Sequence, residues 1–189
     1  MKKFIDEAKI KVKGGKGGDG CVAFRREKFI PKGGPSGGDG GKGGDVIFVG
    51  NRNLRTLIDF SYRNFFSAEN GKPGSGNNKK GKDGQDLLVN IPCGTVIKEV
   101  SNNKEKVIGE ILKEGEKIIV AKGGKGGKGN TNFKSSTNQA PRIATKGKVG
   151  EEKYLKLELK LIADVGIVGY PNAGKSTFIS KISNVRVKI

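Results

Sequence analysis

Short apolar runs that alternate with polar residues dominate the first 160 residues of the chain. At residues 8–13 and 154–161 apolar side chains occupy every second position, which predicts strands with one buried and one exposed face. Asn102 and Asn103, and also residues 113–116, have the composition of hairpin turns. Many short antiparallel strands of this kind predict a mainly β domain, built as a small barrel or a sandwich. Further strands are predicted at 21–24, 46–49, 86–91, 95–100, 107–112 and 117–121.

Helical spacing of apolar residues is weak before residue 170. Residues 57–68 show some helical spacing, but their aromatic residues fit an irregular packed connection equally well. Near the C-terminus the pattern changes: residues 163–168 predict a short buried strand, and one-face spacing predicts a helix over 177–183. This part of the chain therefore has the order strand, loop and helix.

The loop between this strand and helix fits the phosphate-binding pattern G-x-x-x-x-G-K-[ST] at every fixed position. Its glycines let backbone N–H groups approach a polyphosphate, and the helix N-terminus adds the positive end of its dipole. In this pattern Lys175 would reach the β- and γ-phosphates, and the Ser176 hydroxyl would bind Mg²⁺. The alternative is a chance glycine turn before a helix, which the flanking strand and helix disfavour. The loop consists of Gly169, Tyr170, Pro171, Asn172, Ala173, Gly174, Lys175 and Ser176.

Most of the 32 glycines lie in segments where two of every three residues are glycine, with an unbroken period at 37–45. Glycine-rich composition is typical of flexible linkers, and ordering glycine costs about 0.5–1 kcal/mol more than ordering alanine. The alternative is a left-handed polyproline-II-type helix, which has three residues per turn. Such helices could pack through their glycine faces and bond through their backbones, with the third residue (Lys, Asp or Ser) pointing outward. Both interpretations remain open from the composition alone.

The charge balance predicts a polyanionic partner. The chain has 37 basic and 19 acidic residues, a net charge of +18, and this imbalance favours nucleic acid over a bare solvated surface. Aromatic residues make up only 6% and do not interleave with the basic clusters, so base stacking is not indicated. The absence of histidine excludes a His-based catalytic triad or a His-ligated metal, and the two cysteines lack metal-ligand spacing. Without a signal peptide or a membrane span, the chain is expected to be cytoplasmic.

The glycine segments, the β-domain and the phosphate loop, in this order, resemble the Obg family of ribosome-associated GTPases. The resemblance rests on residues 24–44, 68–71, 91–96 and 159–166, and on the loop in its Gly-x-Pro-Asn-x-Gly-Lys-Ser form. It extends over essentially the whole chain. It implies that residues 1–162 form a glycine-rich Obg domain, in which left-handed polyproline-II-type helices form a bundle on a small β-barrel. Residues 163–189 would be the first strand, phosphate loop and helix of an α/β Ras-like GTPase domain.

The resemblance also implies a function. Such a protein binds GTP with Mg²⁺, hydrolyses it slowly and acts in large ribosomal subunit assembly, with its Obg domain on ribosomal RNA; we expect a monomer. Residues 169–176 would bind GTP or GDP, with Lys175 as the catalytic residue, Ser176 as the Mg²⁺ ligand and Asn172 as a candidate K⁺ ligand. The candidate ribosomal RNA contacts are basic residues of the loops: Arg25, Arg26, Lys79, Lys80, Lys125, Lys128, Arg142 and Lys146.

Two features depart from the family pattern. Val187 stands where a proline is expected, and the chain ends at Ile189, before the switch threonine and the Asp-x-x-Gly and Asn-Lys-x-Asp segments. We therefore expect a truncated GTPase domain with almost no hydrolysis of its own. Two rival interpretations remain: a module that binds ribosomal RNA without hydrolysing nucleotide, and a P-loop ATPase with a glycine-rich extension.

Overall fold

The computed structural model describes residues 5–25, 33–101, 104–160, 167–170 and 174–182. Within these ranges the chain is mainly β with few helices, as predicted. The predicted turn at Asn102 and Asn103 and most of the predicted strand at 163–168 lie outside them. The elements, in chain order, are β1 (Glu7–Lys13), β2 (Val46–Asn51), α1 (Ile58–Tyr62), β3 (Phe65–Ser67), β4 (Leu87–Pro92), β5 (Thr95–Ser101), β6 (Lys104–Ile111), β7 (Lys117–Ala121), a 3-10 turn (Asn130–Phe133), β8 (Glu152–Leu159) and α2 (Lys175–Ile182).

The strands form two open sheets. The larger has the order β3-β1-β8-β5-β6, and the smaller has the order β4-β2-β7. Most neighbours are antiparallel, but β1 pairs with β3 and β2 pairs with β4 in parallel. The predicted barrel is not closed, because no described strand pairs an edge of the larger sheet with the smaller one. The arrangement is closer to the two-sheet alternative.

Alternation along β1 and β8 places apolar side chains in the core. Ile10 lies opposite Leu155 and Ala8 lies opposite Leu157 in the antiparallel register, and all four side chains are buried. Cross-strand apolar pairs of this kind are the main stabilising contacts of a half-buried sheet. The core is one cluster with contributions from both sheets, and Leu57, Phe60 and Phe66 join it from the connection before β4.

Two predictions of local structure were incomplete or wrong. Residues 21–24 do not form a strand; they contain only an isolated bridge between Phe24 and Pro35. Residues 57–68 form the short helix α1 followed by β3, in place of an irregular connection. The rings of Phe60 and Phe66 pack with a centroid distance of 5.6 Å, which joins these two elements.

Six extended segments lie side by side and form what we call the glycine bundle. Each joins a strand at one end: the first follows β1, the second precedes β2, the third follows β3, the fourth precedes β4, the fifth follows β7 and the sixth precedes β8. In this order the segments comprise residues 14–24, 33–45, 68–76, 77–86, 122–129 and 141–151.

Backbone hydrogen bonds join the segments at every third residue. The N–H groups of Gly15, Gly18 and Cys21 in the first segment donate to the carbonyls of Gly44, Gly41 and Gly38 in the second, with N···O distances of 2.9, 2.8 and 3.0 Å. Gly14, Gly17 and Gly20 of the same segment donate instead to Glu151, Lys148 and Thr145 of the sixth. Adjacent residues thus bond to different neighbours, and the described glycine segments form the ordered, laterally bonded alternative.

The segments approach so closely that a side chain cannot replace the glycine hydrogen at the contacts. A Cβ on Gly40 would lie 1.9 Å from the carbonyl oxygen of Gly18, and one on Gly43 would lie 2.0 Å from that of Gly15. Both oxygens belong to the backbone of a neighbouring segment, which cannot rotate away as a flexible side chain could. Close packing of backbones therefore requires glycine at these positions.

Polar side chains complete the hydrogen bonding between segments. The Lys42 N–H donates to Asp83 Oδ1 (2.6 Å), the Gly147 N–H to Asp19 Oδ1 (2.8 Å) and the Gly123 N–H to Asp45 Oδ1 (2.6 Å). These bonds lower the pKa of Asp83 and of Asp19 below the usual aspartate value; the backbone donor is the main cause for both, and Lys80 and Lys16 respectively add to it.

The expected outward orientation of every third residue holds only in part. Lys122, Lys125 and Lys128 of the fifth segment are exposed, but Ser36 and Asp45 at the ends of the second are buried. Asp45 turns inward because its carboxylate accepts the Gly123 N–H and pairs with Lys42 Nζ at 2.7 Å.

Gly40→Ala is predicted to destabilise the protein by about 3 kcal/mol or more, because the new methyl group overlaps a backbone carbonyl of the first segment. Urea unfolding measures the change. Gly34→Ala is the matched control, since a Cβ on Gly34 would have no atom within 4 Å. Equal stability of the two variants would contradict the proposed packing constraint.

Acidification is predicted to destabilise the glycine bundle. A carboxyl whose pKa is lower in the folded state stabilises the protein above its unfolded pKa, and this contribution disappears as pH falls through the folded pKa. Because the pKa values of Asp19 and Asp83 are lowered, stability should decline below about pH 5.

Urea unfolding between neutral pH and pH 3 tests this expectation. The double variant Asp19→Asn, Asp83→Asn keeps an acceptor oxygen at both positions and should show a weaker pH dependence. Glu114→Gln, which removes an exposed carboxylate from the turn after β6, is the control. An unchanged pH dependence in the double variant would exclude these two carboxylates as its source.

Candidate functional site

The hydrogen-bond register places the connections between the segments at one end of the glycine bundle. Cys21, near the end of the first segment, bonds to Gly38, near the start of the second, and Gly38 also donates to Ser75 of the third. The Asn130 N–H, at the end of the fifth segment, donates to the carbonyl of Cys21 (3.0 Å). We call this region, opposite the strands, the distal end. It comprises residues 21–25, 33–36, 75–80 and 130–142.

The distal end carries only positive charge among its described residues. It contains no aspartate or glutamate, and its cations are all exposed. Four of the five cations were predicted as RNA contacts from the sequence, and Lys134 was missed. The only available signal for Lys134 was its place in the loop that follows the fifth glycine segment. The five cations are Arg25, Lys79, Lys80, Lys134 and Arg142.

The remaining candidate contacts are distributed differently. Lys125, Lys128 and Lys146 are exposed along the side of the bundle formed by the fifth and sixth segments. Lys128 holds this side together, because its carbonyl accepts the Thr145 N–H at 3.0 Å and its own N–H donates to Thr145 Oγ1 at 2.7 Å. Arg26 lies outside the described residues. The predicted contacts thus form an end group and a side group.

The turn between the third and fourth segments has a special backbone conformation. Asn77 and Asn78 both have positive φ angles, 58° and 56°, a region that asparagine tolerates better than most residues. Thr131 Oγ1 fixes this turn by donating to Asn78 Oδ1 at 3.0 Å. Beside it, Arg25, Ser36 and the two asparagines line an open pocket of about 380 Å³. The pocket presents amide and guanidinium groups, which suit an anionic polar ligand.

The lysines of the larger sheet are in a different electrostatic environment. Lys98 and Lys156 pair with Glu158 at 2.6 and 2.7 Å, and Lys11 pairs with Glu152 at 2.6 Å. The hydrogen bond between Lys98 and Glu158 raises the pKa of Lys98. The hydrogen bonds that Glu158 accepts from Lys156 and Lys98 lower the pKa of Glu158. These lysines of the sheet are therefore paired with glutamates of the same sheet, whereas the distal end has no acidic residue of its own and its Lys80 pairs with Asp83 of the fourth segment at 3.0 Å.

The described part of the predicted phosphate loop leads directly into α2. Gly174 has a φ of 76°, a left-handed conformation that favours glycine, and the helix begins at Lys175. The Phe178 N–H donates to the Gly174 carbonyl at 2.9 Å and starts the helical pattern. Helix α2 thus begins two residues before the predicted 177. Pro171, Asn172 and Ala173 lie outside the described residues.

Lys175 folds back over its own loop. Its Nζ donates to the carbonyls of Gly169 and Tyr170 at 2.7 and 2.5 Å. The ammonium group is thereby held above the start of the loop, beside the N-terminus of α2, where a phosphate group would be stabilised by both charges. Ser176 follows at the second position of the helix and is half-buried.

The residues present fit Mg²⁺ only in combination with a nucleotide. Among the described residues, no three acidic, histidine or cysteine side chains come together as a metal site. Magnesium is commonly held by one or two protein ligands together with phosphate oxygens and water. A single hydroxyl at Ser176 is compatible with that mode.

Glycine segments on β-sheets, followed by a sequence with the phosphate-loop pattern, indicate a P-loop protein with a glycine-rich domain, and sequence comparison identifies its family. Residues 5–161 match the family described as GTP1/OBG, and residues 164–189 match the family described as 50S ribosome-binding GTPase. The chain belongs to the Obg family of GTPases. In the part of the chain that the structure describes, no helix is long and apolar enough to cross a membrane.

Curated relatives match almost the whole chain. It is 59% identical over 186 residues to the GTPase Obg of Sulfurihydrogenibium sp. (strain YO3AOP1), covering 98% of this chain and 53% of the relative. It is 59% identical over 189 residues to the GTPase Obg of Aquifex aeolicus (strain VF5), covering 100% and 54%. The match to the GTPase Obg of Orientia tsutsugamushi (strain Ikeda) is 59% over 186 residues, covering 98% and 56%. The chain therefore spans about half the length of these relatives.

Proposed function

We propose that this chain is part of a GTP-binding, slowly GTP-hydrolysing factor for large ribosomal subunit assembly, and that its distal end contacts ribosomal RNA. The observation that carries the RNA part of the proposal is the group of five exposed cations, within residues that include no aspartate or glutamate, at the end of a bonded bundle. A rigid, positively charged projection suits recognition of RNA through its shape and phosphates. The proposal includes a monomeric protein that works in the cytoplasm.

We further propose two domains, residues 1–162 and residues 163–189, the second being the beginning of a Ras-like GTPase domain. In the first, the glycine segments would be left-handed polyproline-II-type helices. Supporting this is the step of three residues between successive hydrogen bonds to one neighbour, since such a helix repeats every three residues.

For the nucleotide site, we propose that residues 169–176 bind the phosphates of GTP or GDP. Lys175 would exchange its bonds to the loop carbonyls for the β- and γ-phosphates and stabilise the charge that develops during transfer to water. Ser176 would hold Mg²⁺, which supplies further charge neutralisation when bound, and Asn172 is proposed as a ligand for K⁺. The backbone from Tyr170 to Ser176 would cradle the phosphates.

For the RNA site, the eight candidate contacts are proposed to work as an end group and a side group. The end group is Arg25, Lys79, Lys80 and Arg142, and the side group is Lys125, Lys128 and Lys146; Arg26 is kept as a candidate from its sequence position alone. Lys134 is added to the end group, because it is exposed in the same carboxylate-free region.

Binding of the chain to purified large ribosomal subunits is predicted to depend strongly on salt. If four of these residues contact phosphates, the slope of log K against log salt is about −3 to −4, and affinity falls about a hundredfold between 50 and 200 mM. Co-sedimentation over a salt series measures the slope. Lys79→Gln with Arg142→Gln should make it shallower by about 2.

The charge-matched control is Lys104→Gln with Lys106→Gln, which removes two exposed lysines from β6. This variant should keep the wild-type slope. Binding that is independent of salt, or an equal loss in both double variants, would contradict an RNA site at the distal end.

The chain is predicted to bind GTP in a manner that requires Mg²⁺ and Lys175. Losing a charged hydrogen bond to phosphate costs about 1.5–3 kcal/mol, so Lys175→Ala should weaken binding at least about tenfold. Titration of a fluorescent GTP analogue, with and without Mg²⁺, measures the effect. Lys117→Ala on β7 is the control.

Equal affinity of the Lys175→Ala and control variants would exclude the proposed nucleotide site. No binding of GTP at all, together with salt-dependent binding to large subunits, would favour the rival of a module that binds RNA without using nucleotide. Mg²⁺-dependent binding of GTP and ATP with equal affinity would leave the phosphate site in place without support for guanine recognition within this chain.

A further inference from the structure

The side chain of Asn130 lies at the point where three glycine segments meet the distal end. It is completely buried, although asparagine is usually an exposed residue. Its Oδ1 accepts the Gly37 N–H at 2.8 Å, and its Nδ2 donates to the carbonyls of Ala23 and Pro141 at 2.9 and 3.1 Å. One amide group therefore joins the ends of the first, second and sixth segments.

Two of these three partners are close in sequence to cations of the distal end. Ala23 is two residues from Arg25, and Pro141 immediately precedes Arg142. The chain of contacts continues at the surface, since Thr131 Oγ1 donates to Asn78 Oδ1 at 3.0 Å and also to the Gly37 carbonyl at 2.9 Å. Residues 130 and 131 together connect the first, second, fourth and sixth segments.

The glycine bundle itself does not need this amide to stay together. Nearer the strands, the first and second segments are joined by the backbone bonds from Gly18 to Gly41 and from Gly15 to Gly44. These bonds are three and six residues before Cys21 and do not involve Asn130. At the distal end this regular pattern stops and is followed by single backbone bonds, among them Arg25 N–H with the Gly34 carbonyl, Ser36 N–H with the Ala23 carbonyl and Asn78 N–H with the Ser36 carbonyl. The Asn130 amide adds bonds to three segments at the point where the repeating pattern ends.

We propose that Asn130 is a positioning residue, which holds Arg25, Arg142 and the neighbouring loops in one arrangement so that they contact RNA phosphates simultaneously. The inference rests on the RNA-binding function proposed above. It does not make Asn130 an RNA ligand, because its side chain is fully buried and all its hydrogen-bonding groups face protein. Its effect is on the number of phosphates that can be bound at one time.

Asn130→Asp is the most informative substitution. It keeps the acceptor for the Gly37 N–H, removes both donated bonds and places a carboxylate beside the carbonyls of Ala23 and Pro141. Asn53→Asp introduces the same charge at an exposed position in the turn after β2, outside the distal end, and is the matched control. Asn130→Ala removes the three bonds without adding charge.

The readout is the salt slope of binding to large ribosomal subunits, measured with the complete chain. A loss of folded protein lowers affinity at every salt concentration and leaves the slope unchanged, whereas a loss of simultaneous phosphate contacts makes the slope shallower. We expect slopes shallower by about 1 to 2 for both Asn130 variants, and the wild-type slope for Asn53→Asp.

Amide hydrogen exchange provides the second readout. In both Asn130 variants the N–H groups of Arg25 and Ser36 should exchange faster, while those of Gly15 and Gly18 remain protected. If both Asn130 variants keep the wild-type slope, Asn130 has no positioning role. If both lose protection throughout the bundle, its role is purely structural. If the wild-type chain itself fails to bind large subunits, the RNA-binding proposal fails instead, and loss of local protection without that binding would assign Asn130 to structure alone.

Discussion

The structure depends on contact between bare backbones. In the glycine bundle a carbonyl oxygen of one segment occupies the space in which the Cβ of its neighbour would lie, so the segments approach more closely than side chains allow. Each resulting hydrogen bond contributes only about 1 kcal/mol net, and each ordered glycine costs about 0.5–1 kcal/mol more than alanine. The bundle is therefore stable only as an array in which nearly every segment bonds to several others. In addition, all six segments are attached to strands that share one hydrophobic core, which restricts the positions of the segment ends.

This packing also dictates where chemistry can be placed. In the first, second and fifth segments glycine occupies two positions in three, so only the remaining positions and the ends of these segments carry functional groups. Within the bundle, carboxylates such as those of Asp19 and Asp83 accept hydrogen bonds from backbone N–H groups of neighbouring segments. On the larger sheet, glutamates pair with lysines such as Lys98. The distal end has no acidic residue of its own, so its five exposed cations form a positive group without any dedicated binding motif.

The local patterns were predictable where periodicity is a property of one segment. Alternation in residues 8–13 and 154–161 located β1 and β8, and the triplet period at 37–45 located the second glycine segment. The sixth segment was missed because only Gly147 and Gly150 mark it, and its partners lie in distant parts of the sequence. The same limit explains why the prediction of a closed barrel was wrong, since sheet closure depends on pairing between strands that are distant in sequence. Asn130 gave no signal either: an asparagine after a glycine run predicts a turn, and its three partners are defined only by the fold.

The architecture restricts how a nucleotide could control the proposed RNA-binding end. Strand β8 follows the sixth segment, lies at the centre of the larger sheet and pairs with β1 along the whole of that strand, so the path toward the phosphate loop is stiff as far as Leu159. The bundle offers no second register, because moving a segment by one residue would place a lysine or aspartate Cβ where only glycine fits. A sliding or bending switch within the glycine bundle is therefore physically disfavoured. If the proposed GTP site regulates RNA binding, the change has to act beyond β8 and move the bundle as a rigid body.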